Sequence, residues 1–358
     1  MKSCSGKEGG ISARQGDILR TKLLGWYDAH ARDLPWRTSP DPYRVWVSEI
    51  MLQQTRVAAV IEHYHEFLRR FPSVEKLGAA RESSVLAAWS GLGYYRRARM
   101  LHRAAKVVAH KRGGKFPQTA EDWRALPGIG RYTAAAIASI ALGEPVAVVD
   151  GNVERVLERI AGKPISGEPV WRLAGTLLDR NRPGDFNQAM MELGATMCTP
   201  RAPACLTCPL LELCATRGEL PGKGKPPKQH KREVHYALPR RNGSVFLTQR
   251  HSDERLMAGM WELPEIVGPC DHSEPLFTVK HSITVTDYTV KVWPTSKVAG
   301  IVGKWWGMDR LPDLPLTGLA RKILGRSGLF PASGAKWTSS RMAGKESVGN
   351  RSLGGRGR

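Results

Sequence analysis

Between Ile18 and Ile160 apolar residues recur every three or four positions, Pro and Gly interrupt at short intervals, and hardly any stretch alternates. That period puts apolar side chains on one face of a helix and predicts successive short or medium helices. They fall at Tyr43–Phe71, Ser83–Trp89, Arg96–His110, Ala120–Leu126, Tyr132–Leu142 and Val153–Ile160, giving an all-α domain over residues 13–220. The texture changes at Pro221–Arg232 (PGKGKPPKQHKR), where Pro and Gly oppose packing and five basic residues hold the chain in water. Residues 221–233 are assigned as a basic linker. Beyond it, Val234–Arg250 and Thr278–Trp293 alternate apolar and polar positions, with Asn242-Gly243 as a hairpin turn. A second, smaller α/β domain is expected over residues 234–325. Residues 1 to about 12, and a basic tail over 326–358 rich in Gly, Ser and Arg, are expected to be disordered.

One stretch organises the first domain: Leu126 to Asn152, LPGIGRYTAAAIASIALGEPVAVVDGN. Gly128 and Gly130 allow backbone angles and close approaches that a Cβ forbids. The first amides of the helix that follows lack intrahelical partners, so the turn can grip a phosphate without any side chain. Gly143 and Pro145 end that helix, and Val146–Val149 delivers Asp150 to the front of the next one. Turn, helix and aspartate in this order resemble the helix-hairpin-helix of the endonuclease III family of DNA base-excision glycosylases.

Charge narrows the partner. The 358 residues carry 54 Lys and Arg against 33 Asp and Glu, a formal net charge of +21. A balance this basic points to a polyanion, nucleic acid or an anionic membrane surface. No apolar run approaches the roughly 18 residues that span a bilayer, and the first residues lack the apolar core of a signal peptide. A cytoplasmic, bacterial-type protein associated with the nucleoid through DNA, monomeric and independent of membranes, is the expectation.

Of six cysteines, Cys198, Cys205, Cys208 and Cys214 crowd together, while Cys4 and Cys270 are isolated. In a reducing compartment such crowding argues for metal over disulfides. Four close thiolates on one loop can enclose a [4Fe–4S] cluster, with zinc as the other option. The 6-2-5 spacing resembles the iron–sulfur loop of the same family.

Two carboxylates stand out. Asp150, before Gly-Asn-Val-Glu, is a good helix N-cap, and a carboxylate fixed by amides is expected to stay ionised, as stabilising a sugar oxocarbenium ion requires. Glu49 shares its helical face with Val45 and Leu52. Burial there raises a carboxyl pKa and leaves a general acid protonated near neutrality. Lyase members of the family carry a nucleophilic lysine where this chain has Tyr132, so a monofunctional glycosylase with little strand cleavage is expected.

The resemblance sharpens around Glu49. Trp46-Val47-Ser48-Glu49-Ile50-Met51-Leu52-Gln53-Gln54-Thr55 is similar to the MutY adenine DNA glycosylases, as are Leu34-Pro35-Trp36-Arg37, Gly91-Leu92-Gly93-Tyr94-Tyr95 and Phe186-Asn187-Gln188-Ala189-Met190-Met191-Glu192. The resemblance implies that Glu49 protonates adenine and Asp150 stabilises the sugar cation, with Tyr132 and Asn152 orienting the pair. It implies Arg32, Trp36 and Gln188 around the adenine, and Gln54 and Tyr94 beside the orphaned base. The implied partner is double-stranded DNA with 8-oxoguanine:A or G:A mispairs. The second domain resembles the MutT-like (Nudix-type) module of these proteins through Gln249-Arg250 and Met257–Pro264, without the catalytic Nudix glutamates. Where the family carries Phe-Ser-His toward the lesion, this chain has Ile283-Thr284-Val285, leaving Thr284 as the hydroxyl. A thymine–guanine mismatch glycosylase and a non-catalytic DNA-binding iron–sulfur protein are the alternatives.

Overall fold

Side chains at the helix ends set the frame of the first domain in the computed structural model, which describes residues 11–220, 229–254, 256–267, 274–283, 285–295, 298 and 300–330. Ser12 opens α1 (Ala13–His30) with a capping box closed by Gln15, and Asp41 with Pro42 opens α2 (Pro42–Leu52). Helices α3 (Val57–Arg70), α4 (Val74–Ala79), α5 (Glu82–Trp89) and α6 (Arg96–Lys106) follow, the last continued by one π-helical turn, Val107–Lys111. Then come α7 (Ala120–Arg124), α8 (Arg131–Leu142), α9 (Gly151–Ala161), α10 (Glu168–Leu177) and α11 (Pro183–Thr196). Gly143 and Gly162 end α8 and α9 in left-handed conformations, at φ 71° and 70°.

The helix expected over Tyr43–Phe71 is two helices, broken at residues 53–56. The cause lies elsewhere in the chain. Arg97 of α6 donates to the carbonyls of Ile50 (2.8 Å), Met51 (2.9 Å) and Gln53, and to Thr55 Oγ1 (3.0 Å). Those carbonyls are the free C-terminal acceptors of α2, and the guanidinium satisfies them in place of another helical turn. Gln54, just past the end, turns with φ at 55°.

Two large apolar clusters, with a small third one at Ala135, Ala136 and Val148, build the described part of the helical domain. One packs α2 to α8 around Trp46, Phe67, Trp89, Leu101 and Ile137. The other packs α1 and α9 to α11 around Leu19, Leu23, Leu157, Phe186 and Leu193. The chain crosses between them along Val146–Val149, which runs without strand pairing and is held by Asn187 of α11. The Asn187 amide donates to Val146 O (2.8 Å) and Ser139 Oγ (2.9 Å), and its oxygen accepts from Val148 N (3.0 Å). At Gly194, α11 lies so close to the first turn of α9 that a Cβ would sit 2.6 Å from Asn152 Cβ and 3.0 Å from its carbonyl oxygen.

Among the described residues the second domain holds two four-stranded sheets. In one, β1 (His230–Leu238) runs parallel to β7 (Thr286–Pro294), with β5 (Glu265–Ile266) and β6 (Phe277–Ile283) antiparallel on the flanks. In the other, β3 (Ser244–Gln249) pairs with β2 (Arg240–Arg241), β4 (Trp261–Glu262) and β8 (Lys304–Gly307). Asn242 and Gly243 make the β2–β3 turn with φ at 45° and 67°, the twist a two-residue hairpin prefers. Helix α12 (Gly318–Arg326) closes the sheet core. The second domain therefore exceeds its expected limits. Strand β1 begins at His230, inside the 221–233 linker, because its register with Thr286–Pro294 starts there. At the other end α12 reaches Arg326 and buries Leu329 and Phe330, so 325 is not its boundary and the 326–358 tail starts too early. Residues 1–10, 221–228 and 331–358, with Cys4, Cys270 and Thr284, lie outside the described residues.

The domains are stitched directly. Ser90 Oγ and Tyr95 Oη both donate to Leu316 O (2.7 and 3.1 Å), Arg321 donates to Ser90 O (2.7 Å) and Arg99 to Ala258 O (2.5 Å). Met260 of the second domain is fully buried in the helical core.

Two helical glycines should respond in opposite ways. Gly194→Ala is expected to lower stability by about 1–3 kcal/mol, because backbone of α9 must move. Gly175→Ala, with nothing within 4 Å of the new Cβ, should raise it by roughly 0.5–1 kcal/mol through helix propensity. Chemical denaturation of the two variants checks both signs.

Candidate active site

Glu49 reaches the seam between the two clusters from the last turns of α2. Only 5% of it is exposed, and Val45 and Leu52 of the same helical face line the cavity with it. Burial pushes its carboxyl up to about 7, with the negative Asp150 adding in the same direction and the Tyr132 hydrogen bond and Arg37 opposing. Tyr132, on the first turn of α8, donates from Oη to Glu49 Oε2 at 2.7 Å. Burial and the neighbouring carboxylates hold the phenol well above its usual range, so it stays a donor. With Oε2 accepting that bond, Oε1 is the oxygen free to carry the acid proton.

Asp150 arrives from the other cluster as the N-cap of α9. Its Oδ1 accepts from Asn152 N (2.9 Å) and Val153 N (2.8 Å), and its Oδ2 accepts from Asn152 Nδ2 (2.9 Å). Capping and presentation are therefore one arrangement. Glu49, Tyr132, Asp150 and Asn152 line a single cavity of about 720 Å³, together with Arg32, Trp36, Gln54 and Gln188. That is room for an extruded nucleobase with its sugar.

The far wall holds a buried ion-pair set in which sequence reasoning had assigned neither Arg37 nor Glu192. The Glu192 side chain is 1% exposed and accepts from Arg32 Nε (2.6 Å) and Nη2 (2.8 Å) and from Arg37 Nη2 (2.9 Å). Burial raises its pKa, but the bonds and charges of the two arginines outweigh that and hold it down at about 2. Arg37 also donates from Nε to Gln188 Oε1 (3.2 Å). The Gln188 oxygen is thereby engaged, and its amide NH₂ is left for a ligand. Arg32 borders the cavity, but with its guanidinium committed to Glu192. Trp36 is buried edge-on against Tyr64 and offers the cavity a rigid apolar wall. Arg37 and Glu192 lay inside motifs already noted, but their pairing joins residues 155 positions apart, which no local signal announces.

The Gln53–Gln54 turn divides this cavity from a second one of about 940 Å³, because both residues line both spaces. Tyr94 lies in the second space at φ 48°, half exposed, with the Arg97 guanidinium 5.3 Å from its ring centre. Left-handed backbone at two non-glycine residues on the rim is strain of the kind that clusters at functional sites. Nearby, Gly128 has φ 77° and faces Met100 of α6, where a Cβ would meet Met100 Cβ at 2.4 Å. Gly130 caps α8 without a side-chain bond and nothing lies within 4 Å of where its Cβ would be. The first amides of α8 thus have no side-chain cap, as an anion site at a helix start requires.

Cys198, Cys205, Cys208 and Cys214 line one small cavity of about 30 Å³. Arg159 donates to Cys198 Sγ (3.2 Å) and Arg217 N to Cys214 Sγ (3.4 Å). Burial and the adjoining thiols push Cys205 up, and burial does the same for Cys208. Among the described residues no group of three or more His, Cys, Asp or Glu is placed to hold a single metal ion. Arg155 of α9 joins this loop to the active site. It donates to Cys198 O (2.8 Å), Gly194 O (2.7 Å) and Asn152 Oδ1 (2.8 Å), and Asn152 in turn holds Asp150. Sequence reasoning did not single out Arg155.

Residues 47–166 match the HhH-GPD superfamily of base excision DNA repair proteins. The chain is 49% identical over 216 residues to an adenine DNA glycosylase of Homo sapiens, covering 56% of this chain and 39% of that protein. It is 40% identical over 309 residues to one of Arabidopsis thaliana, covering 72% of this chain and 49% of that one. The chain thus spans less than half the length of either. Among solved structures, a thermostable thymine-DNA glycosylase superposes at TM-score 0.54 with 30% identity, over 57% of this chain and 97% of its own. A trapped endonuclease III–DNA covalent intermediate superposes at 0.51 with 22% identity, over 58% and 97%, a likeness of fold.

The buried acid makes a stability prediction with a definite sign. The folded protein holds the Glu49 proton more tightly than the unfolded chain, so stability is complete below about 4.5 and falls as pH rises through about 7. Glu49→Gln removes that loss. Its unfolding free energy relative to the parent should grow between pH 5 and 8.5, by on the order of 3 kcal/mol. Denaturant titrations at the two pH values would show a flat difference if the carboxyl were already ionised at pH 5.

Proposed function

We propose an adenine-releasing activity for this chain, which belongs to the HhH-GPD superfamily of base excision DNA repair proteins. The reaction is hydrolysis of the N-glycosidic bond of adenine mispaired with 8-oxoguanine or guanine in duplex DNA. The observation that carries it is a buried, raised carboxyl and an amide-held carboxylate lining one nucleoside-sized cavity. Glu49 Oε1 gives its proton to adenine N7, and the electron pair of the C1′–N9 bond leaves with the base. Asp150 faces the resulting sugar cation, water adds at C1′, and the proton it releases restores Glu49. Tyr132 holds Glu49 in place, Asn152 holds Asp150, and Gln188 presents its NH₂ to the base edge. Trp36 forms the stacking wall and Arg32 with Arg37 fixes Glu192 behind it. General acid assistance of this kind supplies about 10²–10⁴-fold.

The duplex is gripped by its phosphates at Gly128, Gly130 and the open start of α8, without sequence preference. Gln54 and Tyr94 enter the stack beside the gap, replacing part of the lost stacking. The second domain, with the MutT-like motif of the sequence, faces the other base of the pair. The four cysteines suit a [4Fe–4S] cluster: all are thiols around one space, and two sulfurs accept N–H bonds of the kind that stabilise thiolates. When bound, the cluster would supply a covalent tie across residues 198–214 and no bond chemistry on the nucleotide. Arg155 then carries the order of that loop to Asp150 through Asn152.

The likeness to a thymine-DNA glycosylase makes thymine opposite guanine the second reading. Duplexes with A opposite 8-oxoguanine, G, C and T, and with T opposite G, separate the two. Adenine should be released from the first two and thymine from none, and the reverse pattern would overturn the assignment. Glu49→Gln should lower adenine release by roughly 100-fold or more while DNA binding persists. With Tyr132 in place of an amine nucleophile, borohydride should trap no protein–DNA adduct.

A further inference from the structure

The turn Ser90–Tyr95 lies where the helical domain meets the second one, and its shape is imposed from both sides. From its own domain, Arg97 donates to the carbonyls of Leu92 and Gly93 (3.3 Å each), and Trp89 Nε1 donates to Gly93 O (3.1 Å). The second domain holds the two ends. Ser90 Oγ (2.7 Å) and Tyr95 Oη (3.1 Å) donate to one acceptor, Leu316 O, and Arg321 Nη1 of α12 donates to Ser90 O (2.7 Å). Gly91 threads between α3 and α12 at φ 111°, where a Cβ would come 2.9 Å from His63 Nε2 and 3.8 Å from Arg321 Cζ. Burial lowers the Arg321 pKa, and its Cζ lies 4.7 Å from the centre of the Phe330 ring, so this guanidinium has left water to reach the turn. At the tip Tyr94 stands half exposed at φ 48°, with the Arg97 guanidinium against its ring. Left-handed backbone at a residue with a Cβ persists only where its surroundings over-determine it, and here those surroundings include another domain.

We propose that Arg321 is a positioning residue for base extrusion: from the second domain it fixes the Ser90–Tyr95 turn and so aims Tyr94 at the duplex. This rests on the reading of Tyr94 as a side chain that enters the stack, and goes beyond it by naming the group outside the helical domain that sets its aim. A side chain replaces lost stacking only when it arrives in the right orientation, and a turn already ordered in the free protein loses no further entropy as the base leaves. Without the guanidinium, Ser90 O keeps only the His63 ring at 3.3 Å. Space also opens beside Gly91, whose backbone is free to move into it. The turn then samples other shapes, and Tyr94 with it. The bonds of Arg321, Ser90 and Tyr95 are all made within the protein. The effect therefore falls on the extruded base and is the same whichever purine is left opposite.

The test uses the full chain and duplexes carrying 2-aminopurine in place of the mispaired adenine, a base whose fluorescence rises as it leaves the stack. Stopped-flow fluorescence is read beside single-turnover release of adenine itself. Arg321→Met should slow both by the same factor, roughly ten-fold, within what misplacement remote from the chemistry can cost, and by as much opposite guanine as opposite 8-oxoguanine. Arg321→Lys, which keeps the charge and a donor, should recover part of the rate, with the pH profile of release unmoved. In a Tyr94→Ala background Arg321→Met should add nothing, because the two act as one unit; a role in stability alone would add its full effect. Tyr95→Phe, which deletes one hydroxyl and keeps the ring, should slow extrusion in the same direction and be equally silent without Tyr94. Parental extrusion in both Arg321→Met and Tyr95→Phe, a full effect persisting in Tyr94→Ala, or a loss confined to the 8-oxoguanine duplex would overturn the proposal. Failure of the reading beneath it shows separately, as a parent protein that releases no adenine or a Tyr94→Ala variant that extrudes as fast as the parent, and would take the proposal with it.

Discussion

A carboxyl group kept from water beside a phenol is the constraint on which the rest of this structure depends. Glu49 is tolerable in its position only while it holds a proton or its Tyr132 bond compensates the charge. Each of the two needs a different helix, α2 for the acid and α8 for the phenol, and one apolar cluster holds both. Asp150 belongs to the other cluster. The cavity exists because the two clusters meet along a seam, and the seam is fixed by contacts with little slack: Asn187 across Val146 to Val148, and Gly194 against Asn152. Glu49 and Asp150 thus come to line one cavity by packing that neither residue makes itself.

Arginines do much of the joining. Arg97 ends α2 and so places Gln53 and Gln54 between the two cavities. Its burial draws its pKa down to about 10, the cost of bringing a guanidinium among carbonyls. Arg37 orients Gln188 and, with Arg32, holds the buried Glu192 carboxylate in the wall of the cavity. Arg155 ties the cysteine loop to Asn152 and through it to Asp150. A chain of direct hydrogen bonds therefore runs from residue 198 to the carboxylate, which gives a loop remote from the chemistry a physical route to its geometry.

Local features of the chain were readable in advance. The hairpin glycines, the Asp150 cap and the Asn242-Gly243 turn depend on neighbours within a few residues, and each stands as its sequence implies. The burial of Glu49 followed from Val45 and Leu52 on its own helical face. What depended on distant partners was not readable. The break between α2 and α3 comes from Arg97, more than forty positions on. The Arg37–Glu192 pair and the reach of Arg155 are equally non-local. The start of β1 is set by its register with β7, not by composition, so the linker ended too late by sequence. The close of the second domain was missed because Leu329 and Phe330 sit in a Gly- and Ser-rich run that reads as tail.

The ionisation of the Glu49 carboxyl is the most direct measurement of the central claim. Infrared difference spectra of the parent protein against Glu49→Gln, recorded across pH, isolate the carboxylic acid stretch of this one side chain. The stretch should persist at pH 6 and give way to the carboxylate bands around pH 7. A carboxylate already complete at pH 5 would contradict the account, since the group would then have no proton to give.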